Sequence, residues 1–153
     1  MEIERKFLVA HLPSLEDCRS EKIIQAYIST NPVIRIRQMG ISYFLTVKSQ
    51  GHIMREEFEM PITKEQFDSL WTKVEASPIE KTRYFIPLEQ DLTAELDVYE
   101  GHLKGLSTVE VEFSSLDLAN HFMPPSWFGN DISLDHRYKN NNLAHYGIPK
   151  YSY

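Results

Sequence analysis

The stretch Glu2-Ile3-Glu4-Arg5-Lys6-Phe7-Leu8-Val9 puts Glu2, Glu4 and Lys6 on one parity and Ile3, Phe7 and Val9 on the other. Successive side chains of a strand point to opposite faces, so this is a strand with one charged and one apolar face. The pattern recurs along the chain. Arg35 and Arg37 alternate with Ile34 and Ile36, Thr46 and Lys48 with Leu45 and Val47, and Arg55, Glu57 and Glu59 with Phe58 and Met60. Lys81 and Arg83 alternate with Thr82 and Tyr84, Glu95 and Asp97 with Ala94, Leu96 and Val98, and Glu110 and Glu112 with Val109, Val111 and Phe113. Strands are expected at about 1–9, 22–29, 33–38, 42–49, 53–60, 79–86, 92–99 and 107–113. Gly40 and Gly51 fit hairpin turns between them.

Helical signals interrupt the series twice. Thr63-Lys64-Glu65-Gln66 has the form of a capping box, followed by Phe67, Leu70, Trp71 and Val74 at helical spacing. Ser115 can cap a second helix running to Phe122, which ends before Pro124-Pro125. Residues 124–138 read as irregular, and 140–146 as a last short helix before Gly147. The expectation is a mainly β, α+β fold: an eight-stranded antiparallel sheet or barrel with a few external helices, forming one domain over residues 1–153. The pattern leaves two arrangements open. The charged face either meets bulk water on a half-exposed sheet or curls inward to line a lumen.

At 153 residues the chain is long enough for one real core, and an apolar fraction of 42% with 25% charged residues is that of a soluble globular protein. No apolar run approaches the roughly 20 residues of a membrane span, so no membrane partner is expected. The acidic start gives a signal peptide no basic n-region, which makes a cytoplasmic location the expectation. Cys18 is the only cysteine, excluding an internal disulfide or a cysteine metal cluster. The six histidines have no metal-ligand spacing and read as surface or turn residues. A net charge of −6 with a pI near 5.5 argues against nucleic acid but allows a local cationic pocket for a small anion.

If the charged face does line a lumen, its chemistry can be stated. Arginine and lysine rings donate to phosphate oxygens. Carboxylates two residues apart, such as Glu2/Glu4, Glu95/Asp97 and Glu110/Glu112, project in one direction about 7 Å apart and suit a hard cation such as Mg²⁺.

Glu2-Ile3-Glu4-Arg5-Lys6 is also a Glu-x-Glu-x-Lys signature. It is followed in order by Gln25-Ala26-Tyr27, Arg35-Ile36-Arg37, Leu45-Thr46-Val47-Lys48 and Arg55-Glu56-Glu57-Phe58-Glu59. Next come Lys81-Thr82-Arg83, Glu95-Leu96-Asp97-Val98-Tyr99-Glu100-Gly101, Leu103-Lys104-Gly105-Leu106 and Val109-Glu110-Val111-Glu112-Phe113. This ordered set resembles the CYTH domain of the triphosphate tunnel metalloenzymes across nearly the full chain. The resemblance implies an eight-stranded antiparallel tunnel and a divalent metal, Mg²⁺ or Mn²⁺, on Glu2, Glu4 and Glu112 with Glu110 beside them. It implies a phosphate path along Lys6, Arg35, Arg37, Lys48, Arg55, Lys81 and Arg83, with Glu57 and Glu59 orienting those cations or joining the metal shell. Glu95 and Asp97, with Lys6, are the expected catalytic groups, the two acids holding a second metal or placing the attacking water. Arg137-Tyr138-Lys139-Asn140 resembles the family's C-terminal signature, with Lys139 either at the tunnel mouth or on the surface. The activity implied is hydrolysis of inorganic tripolyphosphate to pyrophosphate and phosphate by a monomer or homodimer. Other activities implied by the same resemblance are a class IV-type adenylate cyclase and a thiamine or nucleoside triphosphatase; the non-enzymatic alternative is a non-catalytic polyphosphate-binding module.

Overall fold

The computed structural model describes residues 1–150. Ten strands form one antiparallel sheet: β1 Glu2–Val9, β2 Arg19–Thr30, β3 Val33–Met39, β4 Ser42–Lys48, β5 Met54–Arg55, β6 Glu57–Ile62, β7 Ile79–Pro87, β8 Thr93–Tyr99, β9 Ser107–Glu112 and β10 Phe128–Asp131. Three α-helices accompany them: α1 Lys64–Trp71, α2 Leu116–Asn120 and α3 Asn140–Tyr146. The strand order is β10-β1-β9-β8-β7-β2-β3-β4-β6, with β5 also paired to β1.

That last pairing curls the sheet into a barrel. The expected strand 53–60 is broken at Glu56. Its first part pairs with β1 at Glu2↔Arg55 and Ile3↔Met54, and its second part pairs with β4 from Lys48↔Glu57 to Tyr43↔Ile62. Ser49 holds the break through its amide on the Glu56 carbonyl (3.0 Å) and its hydroxyl under the Glu56 amide (2.9 Å). β5 and β6 thus share one of eight positions around the ring, and the half-exposed sheet is not what forms. Gly51, in the turn before β5, has φ +147°, and a Cβ there would lie 2.4 Å from the Met54 carbonyl oxygen. Only glycine fits so tight a return.

The sequence expectation of an irregular 124–138 is corrected for part of its length. Phe128–Asp131 is β10, which takes the edge of β1 beyond β5 at Phe7↔Asp131 and Val9↔Phe128. Its four residues are too few for alternation to signal a strand. The first two helices begin where expected and end early, α1 before Val74 and α2 before Phe122. The Thr63 hydroxyl accepts from the Gln66 amide (3.1 Å) while the Gln66 side chain accepts from the Thr63 amide (2.8 Å), so the capping box is formed.

The apolar parity of each strand faces outward under these helices. α1 lays Phe67 over Ala26 and Ile36, its ring 5.0 Å from Tyr43 and 5.4 Å from Trp71. On the opposite wall Phe7, Leu96, Val109 and Val111 pack with Phe113, Ala119 and Phe128 from the α2–β10 side. A third cluster closes one end of the barrel. There the inward parity itself turns apolar, and Tyr27, Val33, Ile79 and Tyr99 meet Leu143 and Ala144 of α3. No helix among the described residues is long and apolar enough to cross a membrane.

Candidate active site: a charged barrel interior

The cross-strand register puts the charged parities together. Glu4 stands opposite Glu112, Lys6 opposite Glu110, Glu95 opposite Glu110, Arg83 opposite Asp97, and Thr46 between Arg35 and Glu59. They enclose a cavity of about 330 Å³ lined, among the described residues, by seven lysines and arginines and eight acids. Burying so many charges is tolerable only if they pair or receive a ligand.

Of the residues expected from sequence, Glu2, Glu4, Lys6, Arg35, Arg37, Lys48, Arg55, Glu57, Glu59, Arg83, Glu95, Glu110 and Glu112 all line the cavity. Lys81 and Asp97 do not. They are fully buried behind Arg83, where Lys81 Nζ lies 2.8 Å from Asp97 Oδ2. Arg83 donates Nε and Nη2 to the two Asp97 oxygens at 2.8 and 2.9 Å, and its Nη1 reaches Glu95 at 2.8 Å. Burial pushes the Asp97 carboxyl up, but Arg83 and Lys81 together outweigh it and hold the group at about 2. The carboxylate is shared unequally, since burial drives the Lys81 ammonium down to about 7 despite Asp97 beside it. Asp97 is therefore buried behind Arg83 while Glu95, two residues before it on β8, lines the cavity.

The cations differ in what they hold. Lys48 Nζ sits 3.1 Å from Glu2 Oε1, Arg55 Nε 3.5 Å from the same oxygen, and Arg35 Nη2 3.8 Å from Glu59. Arg37 is buried, yet it has no carboxylate partner among the described residues. Its Nε donates to Gln25 Oε1 at 3.1 Å, and Gln25 donates on to the Tyr27 hydroxyl. Burial first, then the neighbouring Arg35 and Arg83, bring the Arg37 guanidinium down to about 9. A buried cation under that strain is a ready binder of anions.

The acids form two crowded pairs. Burial, then Glu110 and Glu2, raise the Glu4 carboxyl well above its ordinary range, and it is hydrogen-bonded to Glu110. Burial also acts against the Glu110 carboxylate, but Lys6, Arg83 and Lys81 outweigh it and keep it ionised. Glu57, hydrogen-bonded to Glu2, is raised to about 7 first by that bond and then by burial. Each pair thus shares a proton where two negative charges would repel. Among the described residues no three acids or histidines already stand at ligand geometry. The donor set nonetheless fits a hard divalent cation: it is all carboxylate oxygen, and a cation would take the place of the shared protons.

One stretch of lining lies outside the alternating strands. Ser133, Asp135, Tyr138, Lys139, Asn140 and Asn141 form one side of the cavity because β10 delivers the following segment across the β1 edge. The Ile132 amide binds the Lys6 carbonyl (2.9 Å), and the Lys6 amide binds Ser133 Oγ (2.9 Å). No periodicity marks such a segment; only the resemblance at Arg137–Asn140 pointed to it. His52, a turn residue as expected, also lines the cavity.

Known proteins match this arrangement closely. The CYTH domain family model matches residues 1–120. The chain is 47% identical over 146 residues to an inorganic triphosphatase of Nitrosomonas europaea, covering 94% of this chain and 96% of that one. It is 31% identical over 147 residues to an inorganic triphosphatase of Acetivibrio thermocellus, covering 94% and 92%. A crystal structure of an inorganic triphosphatase superposes with a TM-score of 0.70 at 44% identity, covering 94% of each chain. With its curled antiparallel sheet, its inward charges and these matches, the chain belongs to the CYTH domain family.

Proposed function

We propose that this protein hydrolyses a phosphoanhydride bond of inorganic tripolyphosphate, giving pyrophosphate and phosphate, with the help of a divalent cation such as Mg²⁺ or Mn²⁺. The observation that carries the reading is Arg37, a buried guanidinium with no carboxylate partner among the described residues, facing a cavity whose other wall is glutamate. The names of the two relatives support the same substrate.

Glu2, Glu4, Glu110 and Glu112 would hold the cation. When bound, it supplies charge neutralisation and polarises phosphoryl oxygens. Arg35, Arg37, Lys48, Arg55 and Arg83 bind the phosphate oxygens and fix the chain in line for displacement, the main task in phosphoryl transfer. Lys6, whose ammonium donates to the Tyr138 carbonyl, stands beside Glu110 and acts on the reacting phosphoryl group. Glu95 would accept a proton from the attacking water; its place in the lining and the upward push of burial on its carboxyl support that role. Asp97 and Lys81 serve as positioning residues that fix the plane of Arg83. Among the described residues the lining has four apolar or aromatic side chains, Tyr27, Val33, Ile132 and Tyr138, against fifteen charged ones. So small an apolar share favours a substrate without a base or thiamine to pack, over the cyclase and thiamine triphosphatase readings.

The test is product-resolved turnover of tripolyphosphate, ATP and thiamine triphosphate with Mg²⁺ or Mn²⁺, with chelator and Glu4→Ala controls. Metal-dependent phosphate release from tripolyphosphate, lost in Glu4→Ala, is the expected result. Cyclic AMP and pyrophosphate from ATP would establish a cyclase, and ligand binding without turnover a binding module.

A further inference from the structure

Of the stretch Gln25-Ala26-Tyr27, Tyr27 lines the cavity, Ala26 packs outward under α1, and Gln25 is fully buried behind the lining. Gln25 stands directly opposite Arg37 in the β2–β3 register. The other three arginines of the lining each meet a carboxylate. Arg35 Nη2 lies 3.8 Å from Glu59, Arg55 Nε 3.5 Å from Glu2, and Arg83 Nη1 2.8 Å from Glu95. Among the described residues Arg37 meets an amide instead, through Nε to Gln25 Oε1 at 3.1 Å.

Chemistry fixes the way this amide points. A guanidinium only donates, so the Gln25 oxygen faces Arg37, and its Nε2 then faces the Tyr27 hydroxyl, which accepts at 3.1 Å. Both ends of the amide are held, so Gln25 is a fixed acceptor. An amide oxygen orients a guanidinium but carries no net charge, whereas a carboxylate in its place would take up the charge as well. The difference matters because β2 lies between two cationic strands, β3 with Arg35 and Arg37 and β7 with Lys81 and Arg83. Burial first, then Arg35 and Arg83, push the Arg37 guanidinium down, and a bound anion reverses that push.

We propose that Gln25 is a positioning residue for the substrate: a neutral acceptor that aims the Arg37 guanidinium into the cavity without neutralising it, so that its charge is met by a phosphate oxygen. This rests on the triphosphatase reading above.

The experiment places Gln25→Glu and Gln25→Met in wild type and in Arg37→Met. It measures kcat and KM for tripolyphosphate with Mg²⁺, and the dissociation constant of tripolyphosphate in EDTA. In wild type, Gln25→Glu keeps the shape and adds a carboxylate beside Arg37. It raises KM and the dissociation constant roughly tenfold, the loss of one charged hydrogen bond, with the smaller part of the loss in kcat. Gln25→Met removes the acceptor but leaves the charge, and weakens binding about threefold; it carries the test if the added carboxyl prevents folding. In Arg37→Met both substitutions change binding by less than about twofold, because Gln25 acts through Arg37. Unchanged binding in Gln25→Glu overturns the proposal, and so does an equal loss in both backgrounds, which is what a merely structural glutamine gives. Wild-type protein that binds tripolyphosphate without hydrolysing it overturns the triphosphatase reading instead, and the dissociation constants still decide the role of Gln25.

Discussion

Replacing Asp97 by Asn removes one negative charge from a fully buried site and leaves Arg83 and Lys81 without it, so that Lys81, already pushed down to about 7 by burial, goes lower still and sheds its proton at neutral pH. Arg83 loses the carboxylate that takes its Nε and Nη2 at 2.8 and 2.9 Å, and Lys81 loses its partner at 2.8 Å. Breaking a buried ion pair from one side destabilises by about 3–5 kcal/mol, and the retained amide oxygen places this change near the lower end, about 3 kcal/mol. An independent route gives the same order. A carboxyl held at about 2 against an ordinary value of 3.8 is worth about 2 kcal/mol by linkage. The sign follows from the depression: the contribution is complete above about pH 5 and disappears as pH falls from roughly 4 to 2. Urea unfolding of wild type and Asp97→Asn at pH 7 and near pH 2.5 reads both numbers. The variant is expected to be about 3 kcal/mol less stable at neutral pH, melting lower by roughly 6–12 °C, and the gap shrinks in acid. Adding Lys81→Met removes the orphaned buried amine and restores part of the loss. A gap under about 1 kcal/mol, or one equally large at both pH values, would refute the reasoning.

Arg37→Ala is expected to weaken triphosphate binding or turnover by about 1.5–3 kcal/mol, the range of a charged hydrogen bond, measured as kcat/KM; no change would put Arg37 outside the phosphate path. Phe67→Ala should lower unfolding stability by about 3–5 kcal/mol through the cavity left between α1 and the β3–β4 wall, with little change in turnover by the folded enzyme. For Gly51→Ala the added Cβ meets the Met54 carbonyl oxygen 2.4 Å away at φ +147°, so barrel closure at β5 should weaken and stability fall by about 1–3 kcal/mol. Saturating tripolyphosphate should raise the melting temperature, a hundredfold excess over Kd contributing about 2.7 kcal/mol; a flat response would contradict a preformed site.

Much of the site was legible because a strand reports its two faces by parity alone. Glu2, Glu4 and Lys6 share one face of β1, and Glu110 and Glu112 one face of β9, once the period of two is accepted, whereas the pairing Glu4↔Glu112 is made by the register of two strands far apart in the chain. Parity does not say whether the shared face meets water or itself. That was settled by Glu56, which breaks one strand in two and lets Arg55 reach Glu2 while Glu57 stays opposite Lys48. Nor could parity distinguish Glu95 from Asp97, which alternate identically on β8. One lines the cavity and the other is sealed behind Arg83, because Lys81 and Arg83 converge on Asp97 from the neighbouring strand. The segment 132–141 carries no period at all. It joined the site through Ile132 and Ser133 on the open edge of β1, and Lys139 was brought to the mouth the same way. The sequence by itself determined which side chains are charged and which share a strand face, since these are local properties of alternation. Only the tertiary structure decided that the faces close on one another, which acid is buried and which is available, and what stands at the rim, since each depends on contacts between residues far apart in the chain.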